Sequence, residues 1–140
     1  MSQKERSNWR DNYFPSQWHR APRLPKEYLL TDIDAVEWRK NQKGFYEPVG
    51  LFEYKIMWKF LEQINYIEQN NRLSWQLHFL KEIAFRCHVP AYFVGYEYGD
   101  EPYQISKVSL FNILSWQKDT KPKIEIMGEW EYREWLKRIK

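Results

Sequence analysis

Three acidic residues and one lysine lie in two short stretches of sequence that are expected to form neighbouring strands. Asp32 and Asp34 are two residues apart in TDID, and Glu53 and Lys55 are two residues apart in FEYK. Because side chains alternate between the faces of a strand, each pair shares one face of its strand. Carboxylates placed side by side repel one another, and a hard divalent cation between them removes that repulsion. The spacing predicts a site for Mg²⁺ or Mn²⁺ with an adjacent ammonium group.

Such a site suits the hydrolysis of a phosphodiester bond. A bound Mg²⁺ can turn water into a nucleophile and stabilise the negative charge that develops on a phosphate. Lys55 would point into the same site, where its ammonium group holds the attacking water or neutralises the transition state.

The register of the hairpin decides which aspartate faces Glu53. A turn centred between residues 42 and 43 places Asp32 opposite Glu53, whereas a turn centred between residues 43 and 44 places Asp34 there. In both registers an aspartate and the glutamate are cross-strand neighbours, roughly 5 Å apart at Cβ. A one-residue bulge would change this pairing.

The same charged residues also fit a cluster of ion pairs on a solvated strand face, where such pairs contribute little to stability. The neighbouring residues favour central strands instead, because both stretches are otherwise apolar: Leu29, Leu30, Ile33, Val36, Val49, Leu51, Phe52 and Ile56. Both interpretations remain open at this point.

Two strands, LLTDIDAVEW and FYEPVGLFEYKIM, carry the charged residues, and the segment NQKG between them forms the turn. Pro48 predicts an edge or a bulge in the second strand. A helical region of residues 58–88 follows, with a break near Asn70–Asn71. Two strands, AYFVGYEY and YQISKVSL, a short strand in KIEIM and a terminal helix, EWEYREWLKRIK, complete the chain. This order predicts a mixed α/β domain with helices packed on a single sheet.

The second half of the helical region has an apolar stripe at spacings of three and four residues, with Ser74 as a candidate N-cap. Its members are Leu73, Leu77, Leu80, Ala84 and Cys87. We therefore expect Cys87 to be a core residue rather than a nucleophile. His19, His78 and His88 have no zinc-ligand spacing.

The hairpin resembles the signature of the PD-(D/E)xK nuclease superfamily. In that superfamily a strand bearing an aspartate is followed by a strand that ends in (D/E)-x-K, and here Asp34 and Glu53-Tyr54-Lys55 match those positions. The resemblance implies a restriction-endonuclease-like mixed β-sheet flanked by helices, in a single domain. It further implies that Asp34, Glu53 and the carbonyl of Tyr54 bind the metal, that Lys55 assists the water, and that Gln76 on the following helix lies near the site.

The resemblance covers about residues 29–98 and has departures. The interval of 19 residues between Asp34 and Glu53 is long, and no proline precedes Asp34. An acid that some relatives supply from their first helix has only Glu27 as a weak candidate, while Asp32 either takes that role or is a mere neighbour. The implied partner is nucleic acid, with DNA favoured, and a homodimer would cut two strands. The alternative is a protein that keeps the nuclease fold and acts without turnover as a nucleic-acid-binding or assembly factor.

The chain of 140 residues fits one domain, which we place at residues 29–140 after an N-terminal arm or short helix of residues 1–28. Three prolines in that segment leave room for at most a short helix, near Ser16–Arg20. That arm is basic, with six Lys and Arg against three acids, and accounts for the net charge of +3. No apolar run approaches the roughly 18 residues of a membrane helix. The polar N-terminus lacks the pattern of a secretory signal, and the single cysteine cannot form an internal disulfide, so we expect a cytoplasmic protein without a membrane partner.

Aromatic residues make up 19% of the chain. The expected hairpin of the third and fourth strands presents Tyr96, Tyr98 and Tyr103, which either stack on nucleic-acid bases or pack within the hairpin.

Overall fold

The computed structural model describes residues 33–117 and 119–139. The N-terminal arm, including a short helix expected near Ser16–Arg20, lies outside the described residues, as do Glu27 and Asp32.

Five strands, three α-helices and one 3₁₀ turn follow one another along the described residues. They are β1 (Ala35–Lys40), β2 (Tyr46–Ile56), α1 (Met57–Asn70), α2 (Trp75–Cys87), β3 (Ala91–Tyr98), β4 (Ile105–Asn112), the 3₁₀ turn (Ile113–Ser115), β5 (Glu125–Met127) and α3 (Glu129–Arg138).

The five strands form one mixed sheet in the order β1-β2-β3-β4-β5. β2 and β3 are parallel, and the other neighbours are antiparallel. The parallel pair requires a crossover, and α1 and α2 supply it. The mixed α/β class expected from the sequence is therefore confirmed. None of the helices within the described residues is long and apolar enough to span a membrane.

The predicted break in the helical region is confirmed. Asn71 ends α1 in the left-handed conformation, with φ 52°, and its backbone N–H donates to the carbonyl of Ile67. Ser74 then caps α2, because its hydroxyl oxygen accepts a hydrogen bond from the backbone N–H of Leu77.

The turn of the hairpin is centred on neither of the two expected positions. Gly44 has φ 88°, and its N–H donates to the carbonyl of Asn41 at 3.0 Å, which makes a three-residue loop centred on Lys43. The strands then pair with Trp38 opposite Pro48, but beyond this point Glu37 lies opposite Gly50. The residue between them, Val49, is an extra residue in β2, so the bulge predicted near Pro48 is present.

Beyond the bulge, the pairing of β1 with β2 is shifted by one residue. Ala35 pairs with Phe52 and Val36 with Leu51. Continuing this pairing by one residue places Asp34 opposite Glu53, which is the second of the two expected arrangements.

Helices cover both faces of the sheet. On one face, α1 and α2 bury side chains that include Leu51, Phe60, Leu77, Phe93 and Phe111. On the other face, α3 covers a second cluster that includes Phe52, Val94, Val108, Leu110 and Tyr132. Because Leu51 and Phe52 are adjacent in β2, the odd-numbered residues of this part of the strand face α1 and the even-numbered ones face α3.

The prediction of a buried Cys87 is wrong, since the residue is exposed. The apolar stripe is buried at Leu77, Leu80 and Ala84. Cys87 is the last residue of α2, and His88 with φ 58° turns the chain away from the core towards β3. His78 and His88 are likewise exposed.

Gly95 in β3 permits the close approach of α1 to the sheet. A Cβ atom at this position would lie 2.4 Å from the ring of Phe60. We expect Gly95→Ala to lower the free energy of unfolding by about 1–3 kcal/mol, because the overpacked ring must shift. Denaturant unfolding measures this loss. The double variant with Phe60→Leu should lose less than the sum of the single losses, and additive losses would contradict the proposed clash.

Candidate active site

The structure brings Asp34, Glu53 and Lys55 together on the face of the sheet that α1 covers. Glu53 and Lys55 follow Leu51 at two-residue intervals in β2, and Asp34 directly precedes β1. A carboxylate oxygen of Asp34, Oδ2, accepts a hydrogen bond of 3.0 Å from the backbone N–H of Tyr54. The Nζ atom of Lys55 lies 3.1 Å from Oε1 of Glu53.

Glu53 is buried, with 5% of its surface exposed, and it is the only charged residue among the described residues that is buried. The side chain of Lys55 is 24% exposed, so the cluster opens to solvent on the lysine side. The alternative of a solvated cluster of ion pairs is therefore wrong for Glu53. β2 is an interior strand of the sheet, as expected, while β1 is at the edge of the described sheet.

Burial raises the pKa of Glu53 from 4.5 to about 7. The negative charge of Asp34 also raises this pKa, and so does a hydrogen bond from the protonated Glu53 to Asp34, while Lys55 lowers it. The two carboxyl groups are thus close enough to compete for ionisation, as the spacing in the sequence predicted.

An apolar wall causes the burial of Glu53. In β3, Phe93 pairs with Glu53, and Gly95 pairs with Lys55. The ring of Phe60 from α1 stacks on Phe93 with centroids 4.8 Å apart. Water is therefore excluded from the β3 side of the carboxylate, which strengthens its interaction with any cation.

The oxygen atoms of the site match the ligand preference of a divalent metal ion. Oε1 of Glu53 is buried and has no partner in good hydrogen-bond geometry among the described residues, although Lys55 lies close. A buried carboxylate oxygen in this state costs free energy that a cation can recover. Asp34 and Glu53 would be the carboxylate ligands, with the carbonyl of Tyr54 as the third ligand that the resemblance implies. No three His, Cys, Asp or Glu of the described chain are grouped as a metal site.

The side chain of Tyr54 points to the opposite face of the sheet and anchors the site strand to α3. Its hydroxyl group forms a hydrogen bond of 2.8 Å with that of Tyr132, and its ring stacks on Phe52. Burial is the main reason that the pKa values of both tyrosines are raised. Arg39 of β1 donates a hydrogen bond to the carbonyl of Leu136 in α3. α3 therefore holds both strands that carry the site.

We expect Tyr132→Phe to destabilise the protein by about 1–3 kcal/mol, because it leaves the buried hydroxyl of Tyr54 without its partner. Thermal or denaturant unfolding at pH 7 tests this expectation. The double variant Tyr54→Phe/Tyr132→Phe should be more stable than the Tyr132→Phe single variant. A double variant with the full sum of both losses would show that the hydroxyl pair contributes nothing.

Gln76 is exposed at the second position of α2. Its side chain makes no hydrogen bond with any residue within residues 33–117 and 119–139. The structure thus assembles Asp34, Glu53 and Lys55 and leaves Gln76 outside their hydrogen-bonded contacts. Tyr103 is fully exposed in the β3–β4 turn, and Tyr98 is 60% exposed.

Sequence reasoning missed two features that shape the site. The role of Gly95 had a local signal, because an isolated glycine in a strand often marks a close approach of another element. The pairing of Tyr54 with Tyr132 had none, because the two residues are 78 positions apart.

Comparisons of this chain with protein-family models, with curated proteins and with solved structures find no match.

Proposed function

We propose that the protein is a Mg²⁺-dependent nuclease that hydrolyses phosphodiester bonds in DNA. The observation that carries the proposal is the convergence of Asp34, Glu53 and Lys55 on one sheet face, with Glu53 buried. A second observation supports it: the hairpin is followed by a helical crossover to a parallel strand. An acid at the start of one strand and Glu-x-Lys near the end of the next, in this topology, resembles the PD-(D/E)xK arrangement and supports a restriction-endonuclease-like fold.

Each residue has a distinct role in the proposed reaction. Bound Mg²⁺ would supply an activated water and a positive charge beside the phosphate. Asp34 and Glu53 hold the ion, and the N–H of Tyr54 fixes the orientation of Asp34. The ammonium group of Lys55 has three donors, so it can contact Glu53 and still orient water or a phosphate oxygen. The wall of Phe60 and Phe93 excludes bulk water from the β3 side of the ion.

Incubation of the purified protein with labelled DNA tests the proposal. Single-stranded, duplex and branched substrates should each be tried with Mg²⁺, with Mn²⁺ and with a chelator, and RNA of the same sequence tests the choice of polymer. We expect cleavage that depends on the metal and is lost in Asp34→Asn. Binding of DNA without cleavage under all of these conditions would overturn the nuclease proposal and favour a binding or assembly factor of the same fold.

Metal binding should depend on pH. A metal ligand must be deprotonated, and Glu53 has a pKa of about 7 before the ion binds. The apparent affinity for Mg²⁺ should therefore increase by up to about tenfold per pH unit below pH 7 and level off above it. Calorimetric titration between pH 5.5 and pH 9 measures this change. A constant affinity across that range would show that Glu53 does not bind the ion.

A further inference from the structure

A groove runs between β5 and α3. Its volume is about 620 Å³. Its apolar walls are Ile126 and Met127 of β5 with Trp130 and Trp135 of α3. The proposed nuclease function assigns no role to any of these residues.

The two tryptophans that line the groove differ in how firmly their rings are packed. Trp135 is held in place, since its ring stacks on Tyr132 at 5.7 Å and meets Tyr92 edge-on at 4.7 Å. Trp130 is 68% exposed. The groove is therefore lined by one tryptophan ring that neighbouring rings hold in position and by a second ring that is open to solvent. An exposed apolar surface of this kind favours the binding of another molecule.

The charges around the groove are mostly negative. Glu125, Glu131 and Glu134 line it, against a single guanidinium group from Arg138. Glu134 is paired with Lys137 at 3.1 Å, and Glu131 caps the first turn of α3. The side chain of Glu125 makes no hydrogen bond or ion pair with the described residues. This balance repels nucleic acid and attracts a cation, and tryptophan rings are the best aromatic partners of cations.

β5, which lines one side of the groove, is an edge strand of the described sheet. β5 pairs with β4 on one side, and no described residue pairs with its other side. An extended peptide can add to such an edge through main-chain hydrogen bonds, while pockets beside the strand select its side chains.

We propose that this groove binds an extended, basic segment of a partner polypeptide. The segment adds to the free edge of β5 and places an Arg or Lys side chain against Trp130 and Trp135, near the carboxylate of Glu125. The inference does not depend on nuclease activity, so it stands or falls separately from the proposed function.

Two probes test the proposal by two-dimensional NMR of the ¹⁵N-labelled full chain. The first is N-acetyl-arginine amide at millimolar concentration, which should shift the indole N–H signals of Trp130 and Trp135. The second is a nine-residue peptide of alternating Arg and Val, which should also shift and protect the backbone amides of β5. The same peptide with Glu in place of Arg should cause neither change. Equal shifts with the Glu peptide, or none with either basic probe, would overturn the proposal.

Variants locate the site when the affinity for the Arg-Val peptide is measured by fluorescence anisotropy. Trp130→Ala and Glu125→Lys should each weaken binding at least tenfold. Trp75→Ala is the matched control, because Trp75 is 76% exposed on α2 and does not line the groove. An unchanged affinity in both groove variants, or an equal loss in the control, would contradict the proposed location. If Trp130→Ala fails to fold, the peptide affinity of Glu125→Lys, at an exposed position of the edge strand, tests the proposed location alone.

Discussion

Replacing Glu53 with glutamine is expected to give a protein that is more stable at pH 8 than the wild type and that no longer cleaves DNA. The pKa of Glu53 is about 7 in the folded protein and 4.5 as an isolated group. Below pH 4.5 the residue is protonated in both states and has no effect on the pH dependence of stability. Between pH 4.5 and pH 7 only the unfolded state loses the proton, so wild-type stability falls with increasing pH and then levels off. The full difference corresponds to about 3 kcal/mol.

Glutamine has nearly the same shape and no charge, so the variant should recover much of this free energy at pH 8. Denaturant unfolding at pH 5 and at pH 8 measures the gain, which should be present at pH 8 and small at pH 5. Glu68→Gln, at an exposed position of α1, is the control and should change neither value. A variant that is less stable than the wild type at pH 8 would show that the ion pair with Lys55 outweighs the cost of burial. The loss of cleavage follows because an amide is a poor ligand for Mg²⁺.

Lys55→Ala should lower the turnover number by about 10²–10³-fold and leave the affinity for DNA within a few-fold of the wild type. In the proposed reaction the ammonium group acts on charge that develops only in the transition state, so its removal should affect turnover more than binding. Lys55 also lowers the pKa of Glu53, and its loss should raise that pKa further. Assays at pH 9 with saturating Mg²⁺ keep Glu53 ionised and separate the two effects.

The matched control is Lys59→Ala, at an exposed lysine four residues further along the chain, in the first turn of α1. It should retain wild-type turnover. Retention of turnover within tenfold in Lys55→Ala at pH 9 would remove the lysine from the proposed chemistry. An equal loss in Lys59→Ala would indicate a general electrostatic effect.

Much of the fold was predictable from local patterns. Residues only a few positions apart predict the helical region and its break, the Ser74 cap and the two later strands. The pairing of Asp34 with Glu53 was narrowed to two registers but not fixed, because it depends on the combined effect of a three-residue turn and a bulge. Alternation along each strand was sufficient to predict that Glu53 and Lys55 share a face.

Features that depend on distant contacts were not predictable. Burial of Glu53 requires Phe93 and Phe60 from two other elements, and the groove at β5 exists only because α3 packs beside the last strand. Cys87 was misplaced because helical periodicity continues to the end of a helix, whereas the core that it faces does not.

The extra residue at Val49 lets the loop end of the hairpin change without moving the candidate site. Residues 38–40 of β1 pair with residues 46–48 in one register, and residues 35–37 pair with residues 50–52 in a register shifted by one. Deletion of Val49 would make Pro48 and Gly50 consecutive, so the bulge would disappear and Asp34 would stay opposite Glu53. A slip of β2 against β1 with Val49 retained would instead put Asp34 opposite Phe52, on the face of the sheet that α3 covers. Divergent sequences can therefore differ in the length of this hairpin as long as the pairing of Asp34 with Glu53 is kept.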